Sequence, residues 1–153
     1  TTVAREGAEI TVDDGNIEII ADDKISSSSD KVNAAGNVLY KTKSADGRTY
    51  IDSKDKTTER TNNGDIIIAK STVNGNDITI ASVGRAAVQT GSKVTSTGDI
   101  TINGTVGSHI SSASTVDAAG DLTIESGYIW FNGANTVKAG DKISAKATTS
   151  YIQ

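Results

Sequence analysis

The stretch KVTSTGDITI, residues 93–102, contains the pattern that determines the fold of this chain. A Val is followed by small or polar residues, then by Gly and Asp, and then by alternating Ile and Thr. This alternation has the two-residue period of a β-strand with one buried face. The Gly–Asp pair is typical of a tight bend, because Gly tolerates positive φ and Asp bonds to nearby backbone amides. The stretch therefore predicts a strand, a corner and a second strand.

The same pattern recurs along the chain at nearly constant spacing. Its Val residues follow each other at steps of 20, 41, 21, 22 and 21 residues, and we interpret the step of 41 as two repeats, one of them diverged. The diverged repeat is expected near Tyr50 and Ile51, and a polar insert at about 52–63 follows it. The Val positions, expected to form a core ladder, are Val12, Val32, Val73, Val94, Val116 and Val137. The corner glycines, expected to stack in a ladder at one edge, are Gly15, Gly36, Gly64, Gly75, Gly98, Gly120 and Gly140.

One repeat cannot bury its aliphatic face alone, so neighbouring repeats must stack. The sequence therefore predicts an all-β fold: a right-handed parallel β-helix, or β-solenoid, of about seven coils of about 21 residues, in a single domain over residues 1–153. Aromatic residues make up only 4% of the chain, which favours a thin core of small aliphatic side chains. Both ends of such a solenoid expose unpaired strand edges. The expected partners are further coils of the same chain or identical subunits at either end.

The amino-acid composition argues against several kinds of cofactor and partner. The chain has no Cys, so we expect neither disulfides nor thiolate metal sites, and no cofactor is expected. A formal charge of −4 without a basic stripe argues against a nucleic-acid partner. No run approaches the roughly 20 apolar residues of a spanning helix, so membrane insertion is not expected. Because the chain begins at Thr1 and contains no Met, we expect a processed protein or a segment of a longer one.

Two stretches, KVTSTGDITINGTV at 93–106 and VDAAGDLTIESG at 116–127, resemble the hemagglutinin-type repeats of filamentous hemagglutinin-like adhesins. These adhesins are large exoproteins of two-partner secretion systems. The likeness is weakest at 41–63, and the NPNL-type motifs of the family's secretion domain have no counterpart. The resemblance implies a location that is secreted or on the bacterial cell surface. It also implies a structural, non-catalytic shaft segment of a surface adhesin or a contact-dependent toxin-delivery exoprotein.

Two other functions compete with the shaft. A self-assembling extracellular filament subunit would stack head to tail through its open ends, because such contacts do not close. A polysaccharide-acting solenoid enzyme would need carboxylates clustered on one face. The acidic pairs at 13–14 and 22–23 are better explained by hydrogen bonding at corners, so no catalytic residue is expected.

Few side chains stand out as candidates for binding. His109 is the only His, so it is expected on the surface and no metal site is expected. Strand alternation sends Ile129 and Phe131 to one face and Tyr128 and Trp130 to the other. Tyr128 and Trp130 are therefore the predicted contact for a ligand or partner, such as a host-cell protein or a glycan, with simple cross-coil packing as the alternative. The sequon at Asn103 leaves glycosylation open.

Overall fold

The computed structural model describes residues 2–47, 49–51, 59–61 and 63–153. These residues form twenty β-strands and no helix. In the part of the chain that is described, no helix is long and apolar enough to cross a membrane. Eighteen of the strands form three parallel sheets of six strands each.

Each sheet takes every third strand of this set, so successive strands of one sheet come from successive repeats. Sheet A contains β1 (Thr2–Glu6), β4 (Lys24–Ser28), β9 (Ile66–Ala69), β12 (Arg85–Gln89), β15 (Gly107–Ser111) and β18 (Ile129–Asn132). Sheet B contains β2 (Glu9–Val12), β5 (Lys31–Ala34), β10 (Thr72–Gly75), β13 (Lys93–Ser96), β16 (Thr115–Ala118) and β19 (Thr136–Ala139). Sheet C contains β3 (Ile17–Ala21), β6 (Val38–Thr42), β11 (Ile78–Ser82), β14 (Ile100–Gly104), β17 (Leu122–Ser126) and β20 (Ile143–Ala147).

Three consecutive strands, one from each sheet, make one coil. Coils 1 and 2 are β1–β3 and β4–β6, and coils 3 to 6 are β9–β11, β12–β14, β15–β17 and β18–β20. The step from coil to coil is about 22 residues. After coil 6 the chain returns to sheet A, where Ile152 forms a parallel bridge with Ile129. The predicted parallel β-solenoid is confirmed.

The count is six coils rather than seven, because the step of 41 residues spans one coil and an insertion. Val32 pairs directly with Val73, so no coil lies between them. The predicted diverged coil near Tyr50 and Ile51 was wrong. Instead, β7 (Thr49–Ile51) pairs with β8 (Glu59–Thr61) in an antiparallel hairpin. Most of the predicted insert at 52–63 lies outside the described residues.

The core consists of side-chain columns that run along the axis. In sheet B the structure places Val32, Val73, Val94, Val116 and Val137 in one paired column. The first member of this column is Ile10, not the predicted Val12, which pairs with Ala34. Coil 1 has a longer corner than the next coils, so counting back about 20 residues from Val32 reaches the wrong residue. A second column, in sheet C, consists of Ile17, Val38, Ile78, Ile100, Leu122 and Ile143.

The corner between sheets B and C carries a continuous ladder of Asn and Asp side chains. The backbone N–H of Asn37 donates to Oδ1 of Asn16 at 2.7 Å, and that of Asp77 donates to Oδ1 of Asn37 at 3.1 Å. The N–H groups of Asp99 and Asp121 likewise donate to Oδ1 of Asp77 and Asp99, at 2.9 and 2.8 Å. We call these five residues the Asx ladder. The first four side chains each accept the corner N–H of the next coil, which explains why Asp or Asn recurs there.

Glycine recurs at this corner because the backbone passes close to the Asx ladder. A Cβ on Gly98 would lie 2.3 Å from Oδ1 of Asp77, and Gly36 and Gly120 meet the same obstacle from Asn16 and Asp99. The predicted reason, positive φ, applies at Gly15 and Gly64 but not at Gly36, Gly75, Gly98, Gly120 or Gly140. Close approach between coils, rather than a left-handed turn, is what requires glycine here.

The predicted glycine ladder needs three corrections. The N–H groups of Gly36, Gly98 and Gly120 bond to the residue one coil earlier, but in coil 3 Asn76 takes the place predicted for Gly75. Gly140 is displaced by one position, because it is Asp141 that bonds to the carbonyl of Gly120. Gly64 lies at the corner between sheets C and A, where its carbonyl accepts the N–H of Gly84. Corners differ in length by a residue, so the repeat alone does not determine which Gly stacks.

Candidate functional site

The outer face of sheet A carries a cluster of ring side chains in coils 5 and 6. His109 pairs with Trp130 across the two strands, and their rings meet edge to face at 5.0 Å. Nε2 of His109 lies 2.7 Å from the hydroxyl of Tyr128. Tyr128 in turn stacks on Tyr151, with ring centroids 5.7 Å apart. We call His109, Tyr128, Trp130 and Tyr151 the aromatic patch.

The ring of Tyr128 packs over Gly107, a residue of β15 that has no side chain. A Cβ on Gly107 would lie 2.4 Å from two atoms of the Tyr128 ring, so the ring occupies the space left open by this glycine. Its hydroxyl is thereby brought to His109, and its ring lies between Gly107 and Tyr151. Neighbouring coils thus hold the ring in a single position.

An ion pair lies beside the patch on the same outer face. Nη2 and Nε of Arg85 donate to Oδ2 of Asp65 at 2.8 and 3.2 Å, and the N–H of Arg85 donates to Oδ1 of Asp65 at 2.8 Å. The Asp65 side chain is only 4% exposed, whereas that of Arg85 is 43% exposed. Its hydrogen bond with Asp65 raises the pKa of Arg85. Arg85 also interacts with the side chain of Tyr128, so the guanidinium links the buried carboxylate of Asp65 to the aromatic patch.

A groove of about 320 Å³ opens next to this ion pair. Its wall includes Asp65 and Arg85 together with the apolar side chains of Ala45, Val83 and Val106. Val106 is 53% exposed, so the groove has an accessible apolar edge. Arg85 lines the groove and also interacts with the side chain of Tyr128, so the groove borders the aromatic patch. The arrangement offers flat aromatic surface, an apolar edge and planar hydrogen-bonding groups within one region.

The environment of His109 favours its neutral form. Burial lowers the pKa of His109 below its ordinary value of 6.5, and the positive charge of Arg85 lowers it further. Asp65 acts in the opposite direction, but its effect is smaller. At neutral pH the imidazole is therefore uncharged next to Tyr128.

Of the predicted site residues, Tyr128 and Trp130 both lie on the outer side of sheet A, opposite Ile129, which is buried, and Phe131, which packs against the core. They are half-buried rather than fully exposed, and each contacts His109. The sequence interpretation missed Arg85, Asp65 and Tyr151. The coil spacing carried the signal, because Gly107 and Tyr128 are 21 residues apart and Tyr151 follows 23 residues later.

The other sequence candidates do not join this region. Asn103 is exposed on sheet C, and the acidic pair at 13–14 is exposed at the first corner between sheets B and C. Among the residues described, no group of three His, Asp or Glu side chains could hold a metal ion.

A separate polar cluster lies inside the solenoid at its amino-terminal end. The carboxylate of Asp30 is buried and accepts hydrogen bonds from the Ala8 N–H at 2.8 Å and from the Ser27 hydroxyl. The guanidinium of Arg5 lies 3.3 Å from the same carboxylate. Burial raises the pKa of the adjacent Tyr40 to about 12, so its phenol is neutral. These side chains cover the core at the amino-terminal end of the solenoid.

Comparison with family models, with curated proteins and with solved structures found no match to this chain. The repeat pattern and the strand register show that the chain is a β-solenoid repeat protein. It has a continuous core and a cluster of aromatic side chains on the outer face of sheet A.

Proposed function

We propose that the chain is a structural, non-catalytic shaft segment of a secreted bacterial surface protein, of the filamentous hemagglutinin-like kind that its repeats resemble. The observation that carries the proposal is the unbroken inward column from Ile17 to Ile143, which passes through all six coils in register. Each coil is fixed to the next by three sheets, and the Asx ladder adds further bonds between coils 1 and 5. Such a rod resists bending because each described coil pairs directly with the next.

The carboxyl-terminal end of the rod also supports the proposal that this chain is a segment of a longer solenoid. Strands β19 and β20 present free edges, and the inward side chain of Ile143 is 51% exposed. Residues 151–153 already pair with β18, as the first strand of a further coil would. Six coils at the spacing of parallel strands give a rod of roughly 30 Å, which is short for a spacer and favours a longer parent.

The mass of the natural protein tests the proposal. Antiserum raised against the purified chain should detect a product far larger than 15.8 kDa in the culture medium or on the cell surface of the source. A product close to 15.8 kDa would contradict the shaft, and so would a product found only in the cytoplasm.

The exposed carboxyl-terminal end also favours a second candidate, a self-assembling extracellular filament subunit. Ile143, Tyr151 and Ile152 are each about half exposed, and a second copy stacked on them would cover them. Electron microscopy of the purified chain at micromolar concentration separates the two functions. Long fibres would support the subunit, and dispersed particles would support the shaft.

A further inference from the structure

The corner between sheets A and B contains a column of residues in the left-handed conformation, one from each coil. With φ between 51° and 90°, its members are Gly7, Ser29, Lys70, Thr90, Ser112 and Gly133. In coils 1, 2 and 5 the N–H of the column residue donates to a carbonyl of the next coil, at 2.9, 3.0 and 2.9 Å. Gly133 is the last member, and a carbonyl that accepts its N–H in the same way would belong to a further coil. Among the described residues this N–H has no hydrogen-bond partner, and Gly133 is exposed.

The residue before this free N–H is Asn132, which makes the pair chemically reactive. Asn132 is exposed, and its side-chain amide bonds to none of the described residues. A main-chain nitrogen that follows an Asn can attack the side-chain amide when no hydrogen bond holds it. Gly favours this attack, because it has no Cβ to shield its nitrogen and its backbone rotates freely.

The fold restrains the other three Asn–Gly pairs of the chain. Their glycines are all buried: Gly64, Gly75 and Gly104. The N–H of Gly104 donates to Oγ of Ser126 at 3.0 Å, and Nδ2 of Asn74 donates to Oδ1 of Asn33 at 2.7 Å. The carbonyl of Gly64 accepts three hydrogen bonds. The solenoid must open locally before any of these pairs can react, whereas the pair at 132–133 lies at an end that is already open.

We propose that Asn132–Gly133 is a self-modification site, at which the uncovered end of the solenoid converts Asn132 to aspartate and isoaspartate. The nitrogen of Gly133 forms a bond to Cγ of Asn132, and the bond from Cγ to Nδ2 breaks. The amide nitrogen leaves as ammonia, together with the proton that Gly133 loses. Water then opens the resulting five-membered ring. Addition of water at Cγ gives aspartate, and addition at the main-chain carbonyl gives isoaspartate.

Either product changes the surface on which a further coil would stack. Both add a negative charge next to Gly133, and isoaspartate also adds one carbon atom to the main chain between β18 and β19. A further coil would accept the N–H of Gly133, as the carbonyl of Asn132 accepts that of Ser112, and would suppress the reaction. The modification itself goes beyond the proposed function. Its suppression rests on that function, because it requires a layer stacked on coil 6.

Peptide mapping of the folded chain tests the site. Cleavage after Glu59 and Glu125 gives fragment 126–153, which contains Asn132, and fragment 60–125, which contains the other three pairs. The chain is incubated at mildly alkaline pH, and mass spectrometry measures the conversion of amide to acid in each fragment. We expect fragment 126–153 to react at least about tenfold faster, which corresponds to about 1.4 kcal/mol of local opening at the restrained pairs. In denaturant this preference should disappear.

Two matched variants identify the reacting residue. Asn132→Gln should abolish the fast reaction, because attack on the longer side chain closes a ring less readily. Asn103→Gln, in a pair whose N–H is bonded, should leave the rate unchanged. The proposal is overturned if both fragments of the folded chain react alike, if no isoaspartate forms, or if Asn132→Gln reacts at the original rate.

An extended chain tests the suppression separately. A second copy of residues 110–132 is added after Gln153, where it continues the register set by Ile152 and Ile129 and introduces no new Asn–Gly pair. The reaction at Asn132 should slow at least about tenfold. An unchanged rate would contradict a layer stacked on coil 6, and with it the proposed function, whereas fast reaction in the original chain would still support the modification site.

Discussion

The two ends of the solenoid use the same inward column but differ in how well they cover it. Ile17 in coil 1 is 6% exposed, whereas Ile143 in coil 6 is 51% exposed. Coil 1 fills its interior with large aliphatic side chains, and Ile10 and Val12 pack against the core. Coil 6 instead has small side chains at Ala139, Ala145 and Ala147.

A polar closure adds to this difference. At the amino-terminal end Arg5 reaches the buried carboxylate of Asp30, which also holds Ser27 and the backbone of Ala8. No comparable ion pair appears inside coil 6 among the described residues. The comparison teaches that a stacked fold can close one end with its own side chains while the other stays ready for a further layer.

The largest expected effect comes from placing a charge in the shared column at its centre and at its open end. Ile100→Asp should destabilise the solenoid by at least about 4 kcal/mol, because Ile100 is fully buried and an unpaired carboxylate loses its hydration there. Ile143→Asp should have little effect, since that side chain is already half exposed. Thr101→Asp, on the outer face next to Ile100, is the matched control. Urea denaturation followed by circular dichroism measures the difference, and equal midpoints for Ile100→Asp and Ile143→Asp would contradict the column.

A smaller effect is expected from opening the closed end. Asp30→Ala removes the acceptor for the Ala8 N–H and the Ser27 hydroxyl and should cost about 2–3 kcal/mol. Hydrogen exchange should show the loss mainly in residues 2–12. Asp22→Ala is the control, because Asp22 is about half exposed and its ion pair with Lys43 spans 3.8 Å. Equal loss of protection in both variants would show that Asp30 does not close this end.

Alanine substitutions at the corner glycines test whether a steric clash is relieved more easily at the end of the solenoid than at its centre. Gly98→Ala should cost about 1–2 kcal/mol, because the new Cβ displaces the Asp77 carboxylate from its bond to the Asp99 N–H. Gly140→Ala meets the Ala119 carbonyl at 1.9 Å, but coil 6 can open locally to relieve the clash. Global melting should therefore fall more for Gly98→Ala, while Gly140→Ala should lose exchange protection only after residue 136. A larger fall in global melting for Gly140→Ala would refute this.

The smallest effect is the pH dependence at His109, near the open end. Its pKa is lowered in the folded protein, so the unfolded chain binds the proton more tightly. Stability is therefore complete above the ordinary value of 6.5 and falls slightly as pH decreases through it toward the folded pKa. Melting temperatures between pH 8 and pH 5 should show this small loss, and His109→Gln should reduce the slope. An increase in stability toward pH 5 that disappears in His109→Gln would contradict the assignment.

Much of the fold could be predicted because the repeat is evident in the amino-acid sequence. Alternation in ITI at 100–102 fixes which side chains face inward, and the Val column from Val32 to Val137 follows from spacing alone. The errors have two physical causes. Corners vary in length by one or two residues, so a constant spacing misplaced Val12, Gly64 and Gly75. The insertion after coil 2 forms a hairpin outside the three sheets, and the spacing misidentified it as a coil.

The candidate site was predicted less completely. The strand pattern placed Tyr128 and Trp130 on the outer face, because alternation is a local property of the backbone. It did not reveal that Tyr128 occupies the space above Gly107, or that Arg85 and Tyr151 lie beside it. Those contacts join residues about 21 to 43 positions apart in the sequence.

The sequence by itself determined the strands, their inward faces and the stacking of repeats, since each depends on a short pattern that recurs. Only the tertiary structure decided the register at each corner, the closure of one end by Arg5 and Asp30, and the assembly of the aromatic patch. The physical reason is that these features depend on small differences in corner length summed over several coils. A shift of one residue moves a side chain to the opposite face of the sheet, and the local pattern carries no record of that sum.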